Sequence, residues 1–433
     1  MRRMRSSSGL VGIVADDITG ACDAAAQFQR AGARTAVVLD RRSRSRDGDD
    51  PLPTGWDVLT LTTESRRALP TIAAGRTREA VERLRDAGAE RIYVKVDSTL
   101  RGAPGGIIEA AAIAFGVPYV LVTPAFPEQG RTVLGGWVRR DDTAIVDGMA
   151  RLGETAIASI GHIPLRAIRS SMTAIAISPG LLVDTVALLL ADAERDDDLW
   201  TLAEYAASTE LSLVAGSAGL ARYIAPFWCW ETSNADEGED AWVDRSGPVL
   251  VAVGTRNPMT QAQLTYLRGQ TADEVCVIDV VQDDVDAALP AIRRALDRTP
   301  VVVVALMVPP DTAVTDEGLD GLARITVEAA IERGDDLRGI VTTGGGTTLA
   351  ILKAADVRLL NVVDEVLPGI PCSVIADGQL VNVPIITKSG GFGQEDALAV
   401  ACVWLLSDAT DGEDDLEWDD DDDKPDEDDR RPR

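Results

Sequence analysis

Apolar residues along this chain gather in short, solid runs rather than in strict alternation. Leu10 to Ala15, Thr35 to Leu39, Val58 to Leu61, Ile92 to Val96 and Tyr119 to Val122 read as strands buried on both faces. Between them lie longer Ala- and Arg-rich stretches with helical character, beginning with Gly20 to Arg30. Leu213 to Ala215 predicts another strand, entering a helix through the small residues Gly216 to Gly219. Such β-α alternation predicts a mainly parallel sheet covered by helices.

The pattern breaks between Trp230 and Gly247, where Glu231 to Asp240 is polar, acidic and aperiodic, the composition of a linker. It then resumes. Val249 to Val253, Val275 to Val280, Val301 to Leu306 and Gly339 to Thr342 predict strands, and Thr260 to Leu267 a helix. A glycine turn at 344–348 leads into a helix through Lys353. The fold class expected is α/β: two domains, each a mainly parallel sheet flanked by helices, with a cleft between them. The expected boundaries are a basic extension at 1–8, a first domain at 9–229, a linker at 230–247, a second domain at 248–407 and a disordered acidic tail at 408–433.

Composition narrows the function. Apolar runs such as Val301 to Val308 fall far short of the ~18 residues a membrane span needs, so no membrane partner is expected. Met1 to Arg5 is basic, but Asp16 and Asp17 interrupt the apolar stretch behind it; that is a poor secretory signal, and a cytoplasmic protein is expected. Net charge is −28, and the segment from Asp408 alone carries 15 acids against four bases. So acidic a surface repels phosphate backbones and argues against nucleic acid as a partner. Only four of the 42 basic residues are lysine, which fits a salt-rich cytoplasm or an arginine-biased genome equally. Five cysteines without a CxxC pair, and the single His162, leave almost no room for a zinc site or a Ser-His-Asp or Cys-His system. Chemistry here must run on carboxylates, lysine, arginine and backbone NH groups.

Those groups cluster where predicted strands end, which is where parallel α/β sheets bind ligands. Asp16 and Asp17 follow the first strand; they suit the orientation of a polyol and acceptance of a hydroxyl proton, or else the capping of a helix. Lys95 and Asp97 point the same way from a strand, with Arg101 in the next turn able to fork onto a carboxylate; the alternative is a buried pair holding the turn. Glu128 and Arg131 follow another strand end, and Arg66 a third. In the second half, Thr343 to Thr348, Lys388 to Gly393 and Gly254 to Arg256 form three glycine turns between strand and helix. Glycine lets a backbone approach phosphate closely, and a helix N-terminus favours an anion. Neither a Walker A pattern nor an intact GxGxxG is present.

In order along the chain, ADDITGACDAAAQF from Ala15, TESR from Thr63, KVDSTLRG from Lys95, PAFPEQGRTVLGG from Pro124, AGSAGLA from Ala215, TGGGTT from Thr343 and TKSGGFGQEDAL from Thr387 resemble the four-carbon acid sugar kinase family. The resemblance runs from about Leu10 to Leu406. It implies an acid-sugar-binding domain followed by a nucleotide-binding domain, with ATP and Mg2+ as cofactors and threonate, erythronate or a 3-oxo-tetronate as the acceptor. It carries Thr19, Arg66, Lys95, Ser98, Arg101 and Arg131 to the acid sugar. It carries Gly254, Thr255, Thr343, Gly344, Gly345, Gly346, Thr347, Lys388, Ser389, Gly390 and Gly391 to the nucleotide. Asp16, Asp17 and Asp97 stand equally as the group that accepts or orients the hydroxyl proton, and no metal ligand is assigned. The chain departs from the family pattern at Ala103 and Ile107, where Asn and Glu are expected, and at Gly346, where an acid is expected; Glu395 or Asp396 are the candidate substitutes. The rival readings are a sugar-acid sensor without catalysis and a nicotinamide-dependent dehydrogenase.

Overall fold

The solid apolar runs become strands because helices cover both of their faces. A computed structural model describes residues 9–39, 51–170, 186–229, 245–309 and 312–407. The expected extension at 1–8, residues 230–244 of the expected linker and the expected tail fall outside them. No helix among the described residues is long and apolar enough to cross a membrane.

The strands of the first half lie in the order Ser159–Ile163, Ala187–Ala191, Tyr119–Thr123, Leu213–Gly216, Ala89–Lys95, Leu10–Ala15, Val58–Thr62, Thr35–Leu39, and neighbours are parallel throughout. Those of the second half follow as Leu359–Leu367, Ile370–Ile375, Pro384–Lys388, Gly339–Thr343, Val249–Val253, Val301–Met307, Val275–Val281. Each half is the mainly parallel, helix-flanked sheet that the sequence predicts. What the sequence does not announce is that the two are one sheet. Thr35–Leu39 pairs antiparallel with Leu359–Leu367, in a register that sets Val38 against Leu359 and Thr35 against Val362. All three antiparallel pairings of the 15-stranded sheet sit at this seam.

Three reversals leave the parallel strands of the two halves running oppositely, so a flat sheet would put their C-terminal ends on opposite edges. Six steps separate Leu10–Ala15 from Gly339–Thr343. At ~20–25° of twist per step the accumulated rotation is roughly 120–150°, enough to swing the two sets of ends towards each other.

The helix Ile18–Arg30 fills the angle between them and is buried from Ile18 to Phe28. Ile18, Ala21, Cys22 and Ala25, at three- and four-residue spacing, join the core of the second half, whereas Ala24 and Phe28 join that of the first. Its small side chains let both halves approach. At its far end Gln27 Nε2 donates to Glu365 Oε1 at 2.6 Å, and Arg30 pairs with the other oxygen of that buried carboxylate. The core therefore crosses the boundary that the sequence places near residue 240. A separate antiparallel meander, Arg131–Leu134, Trp137–Arg140 and Thr143–Asp147, stands on the first half.

Candidate functional site

Asp17 ends the loop after Leu10–Ala15 and caps the helix that follows, its Oδ1 accepting from Gly20 N at 2.9 Å. Its Oδ2 accepts from Thr19 Oγ1 at 3.0 Å and from Arg66. Arg66 arrives from the loop after Val58–Thr62 and holds both oxygens of Asp16, at 2.6 and 3.1 Å, while Asp97 lies 3.6 Å from its Nη1. One guanidinium thus binds three buried carboxylates. Desolvation works against its charge, but Asp16, Asp17 and Asp97 more than offset that and keep it firmly protonated. Burial pushes the Asp16 carboxyl above its ordinary range against the pull of Arg66.

Asp97 follows Ala89–Lys95. Arg101 forks onto it through Nε and Nη2, and Thr99 donates from both its NH and its hydroxyl. Burial alone would raise this carboxyl; the hydrogen bonds from Arg101 and the charges of Arg66 and Arg101 hold it well below the usual carboxylate range. Lys95 is buried, 4% exposed, and its Nζ donates to Val96 O at 3.1 Å. Two donors of that ammonium remain for a ligand. Arg101, by contrast, leaves 62% of its side chain exposed.

The three glycine turns converge on Thr255. A Cβ built on Gly344 would lie 3.0 Å from Thr255 Cβ, and one on Gly390 would lie 3.4 Å from Thr255 Oγ1. One on Gly254 would lie 2.6 Å from Thr347 Oγ1. Gly344 adopts φ +93°, which favours glycine, and it opens the helix Gly345–Ala354. Thr347 Oγ1 is buried with no hydrogen-bond partner, an open valence inside this cradle. Lys388 is fully buried instead of facing outward: its Nζ donates to the carbonyls of Ser389, Gly390 and Phe392, and desolvation lowers it to about 7. It shapes the turn from within.

The two sets of loops meet. A Cβ on Gly345 would stand 3.2 Å from Asp17 Oδ2 and 3.5 Å from Thr19 Oγ1. One cleft is lined by Asp17, Thr19, Arg66, Lys95, Asp97, Ser98 and Arg101 from the first half and Ser389 from the second. Phe126 and Phe392 close its side edge to face, with ring centroids 6.1 Å apart. Arg131 lies outside the lining; its guanidinium sits over Phe392, 5.7 Å from the ring centre. Glu395 and Asp396 are exposed beyond the Lys388 turn.

Sequence reasoning overlooked Asp23, Phe126, Ser217 and Phe392, which also line the cleft. Asp23 carried a signal: it is a lone carboxylate inside an alanine-rich helix, two turns after the cap. Among the described residues no three His, Cys, Asp or Glu side chains form a ready-made metal site. Mg2+, however, takes only one or two carboxylates when phosphates supply its other ligands, and the hard oxygens at this cleft suit it.

Comparison with known proteins agrees with this division of labour. Residues 11–224 match the family profile described as a sugar-binding N-terminal domain, and residues 250–398 that of a nucleotide-binding C-terminal domain. A D-threonate kinase of Bordetella bronchiseptica is 33% identical over 90% of this chain and 95% of its own length. A 3-oxo-tetronate kinase of Pseudomonas fluorescens is 29% identical over 90% of this chain and 96% of its own. A solved Haemophilus influenzae structure, 22% identical, superposes with a TM-score of 0.66 over 91% of this chain and all of its own, a likeness of fold.

Proposed function

The chain belongs to the four-carbon acid sugar kinase family, and on that premise we propose that the cleft at its seam carries the γ-phosphoryl group of ATP to a hydroxyl of a tetronate such as threonate, erythronate or a 3-oxo-tetronate. One observation bears most of the weight: the Gly345 backbone abuts Asp17 and Thr19, so the turn suited to phosphate and the loop suited to a polyol face the same space. Phosphoryl transfer asks a protein mainly for in-line positioning and charge neutralisation, and this juxtaposition supplies both.

In this reading residues 9–229 serve as the acid-sugar half and 248–407 as the nucleotide half. Lys95 and Arg101 hold the acid's carboxylate, with Thr19 and Ser98 as hydroxyl partners. Arg66 pairs with Asp16, Asp17 and Asp97 and holds them in place rather than gripping substrate itself, because its guanidinium is already shared among them. The NH groups opening the helix Gly345–Ala354 and the Ser389 to Gly391 turn receive the phosphates, and Thr347 Oγ1 gains the partner it lacks. Mg2+ bound to the nucleotide would neutralise phosphate charge, with Asp17 Oδ2 the carboxylate oxygen that lies against the Gly345 turn. An ATP-consumption assay across D-threonate, D-erythronate and 3-oxo-tetronates, with five-carbon acids as controls, tests the proposal. Turnover confined to the four-carbon acids is expected; equal or better turnover of the five-carbon acids refutes it.

A further inference from the structure

We propose that Asp23, on the buried helix Ile18–Arg30, is the base that takes the proton from the acceptor hydroxyl. The inference rests on the reading that this cleft is where transfer takes place. The three carboxylates that the motifs single out are all committed. Arg66 holds both oxygens of Asp16. Gly20 N, Thr19 and Arg66 take those of Asp17, and Arg101 with Thr99 those of Asp97.

Asp23 is different. It lines the same cleft and is 4% exposed, and its Oδ1 is buried with no hydrogen-bond partner. A buried carboxylate oxygen left unpaired costs the fold free energy, so its retention beside a binding cleft asks for a reason. The groups around it are Lys95 and Tyr93 from the neighbouring strand, Glu365 from across the seam, and Asp17 and Cys22 on its own helix. Desolvation raises Asp23 to about 7; Lys95 opposes the rise, and Glu365 and Asp17 add to it. A base poised near the working pH transfers protons most effectively, whereas the strongly acidic Asp97 binds a proton poorly.

In the step, the hydroxyl oxygen bonds to the γ-phosphorus as the bond from that phosphorus to the β,γ-bridging oxygen breaks. ADP leaves with that electron pair. The hydroxyl proton passes to the Asp23 carboxylate, which returns it to water after the phosphorylated acid departs.

Asp23→Asn keeps the shape and removes the base. It should lower kcat by about 100-fold or more, with acid-sugar affinity by calorimetry within threefold of wild type. The wild-type kcat/KM profile should fall below pH ~7, since that quantity reports the free enzyme's base, and the Asn variant should lose this limb. Asp23→Glu, which keeps an acid, should retain the limb at reduced kcat, and it carries the test if the Asn variant fails to fold. An Asn variant with kcat within threefold of wild type, one whose loss lies wholly in acid-sugar affinity, or a Glu variant lacking the limb overturns the proposal. An inactive wild type would instead sink the reading of the cleft, and this inference with it; an active wild type matched by its Asn variant sinks this inference alone.

Discussion

Arg66→Met should cost this protein stability in a way that depends on pH. Its guanidinium is the shared counter-ion of Asp16, Asp17 and Asp97, and only 18% of the side chain is exposed, so solvent screens the interaction little. Removing one partner from a buried ionic cluster typically costs ~3–5 kcal/mol. At ~2.1 cal/mol/K of unfolding entropy per residue, a chain of this length loses about 3–6 °C of melting temperature for that sum. The sign of the pH effect follows from the carboxylates. In the wild type Asp97 is held below its unfolded value, so its contribution is present above that value and is lost as pH falls through the folded one. Without Arg66 that contribution shrinks and Asp16 is raised further, so the variant loses stability as pH rises. Melting curves should therefore separate more at pH 8 than at pH 5, through Asp16, and the share due to Asp97 should vanish only as pH falls below the ordinary carboxylate value. A loss under 1 °C at pH 8, or the same loss at both pH values, would refute the shared counter-ion.

Further outcomes are expected at five other positions. Arg101→Ala should raise the acid-sugar KM at least tenfold and also lower the melting temperature, because Asp97, 6% exposed, loses the fork that pairs it; Lys95→Ala, at a buried cation, should lower both stability and turnover. Gly345→Val should weaken ATP and acid-sugar binding together in calorimetry, because its Cβ would press on Asp17 and Thr19. Gly346→Asp should fold normally, as a Cβ there meets only Leu319 Cδ1 at 3.2 Å, and should lower the ATP KM; an unchanged KM means another acid fills that role. Asp23→Asn should be more stable than wild type above pH 7, by up to roughly 4 kcal/mol at ~1.4 kcal/mol per pKa unit, and equal to it near pH 4. A raised carboxyl costs nothing while protonated and progressively more as pH climbs to about 7.

Leu10–Ala15, Thr35–Leu39 and Val249–Val253 form where their apolar runs begin and end, because strands covered on both faces need unbroken hydrophobicity. Leu359–Leu367 escaped notice because Asn361, Asp364 and Glu365 interrupt it; as a seam strand it is covered unevenly. The same holds for Trp137–Arg140 and Thr143–Asp147, which show much of themselves to solvent. Seam pairing joins residues more than 300 positions apart, and nothing local in Thr35–Leu39 marks which strand it will meet. At the cleft, the chemistry-rich loops were legible as dense charge at strand ends. Their division of labour was not, since whether Asp16 or Asp97 is free depends on where Arg66 reaches, and that is a property of packing. Lys388 was legible as a cation at a strand end, but not that its Nζ turns inward onto the carbonyls of Ser389, Gly390 and Phe392.

The shared ladder between Thr35–Leu39 and Leu359–Leu367 also sets an order of events during synthesis. The first of these strands emerges from the ribosome about 320 residues ahead of its partner. At ~5–20 residues per second that is a wait of roughly 16–64 s. Throughout it, one edge of the nascent sheet has open NH and carbonyl groups, and the Ile18, Ala21, Cys22 and Ala25 stripe has no cover. Any Leu359–Leu367 segment can complete that edge, including one from a neighbouring chain, because backbone pairing does not distinguish copies. Crowded, rapid expression therefore favours exchange between molecules, and slower, dilute expression favours closure within one. A truncated chain lacking this late strand would carry every acid-sugar motif and still present an unfinished edge.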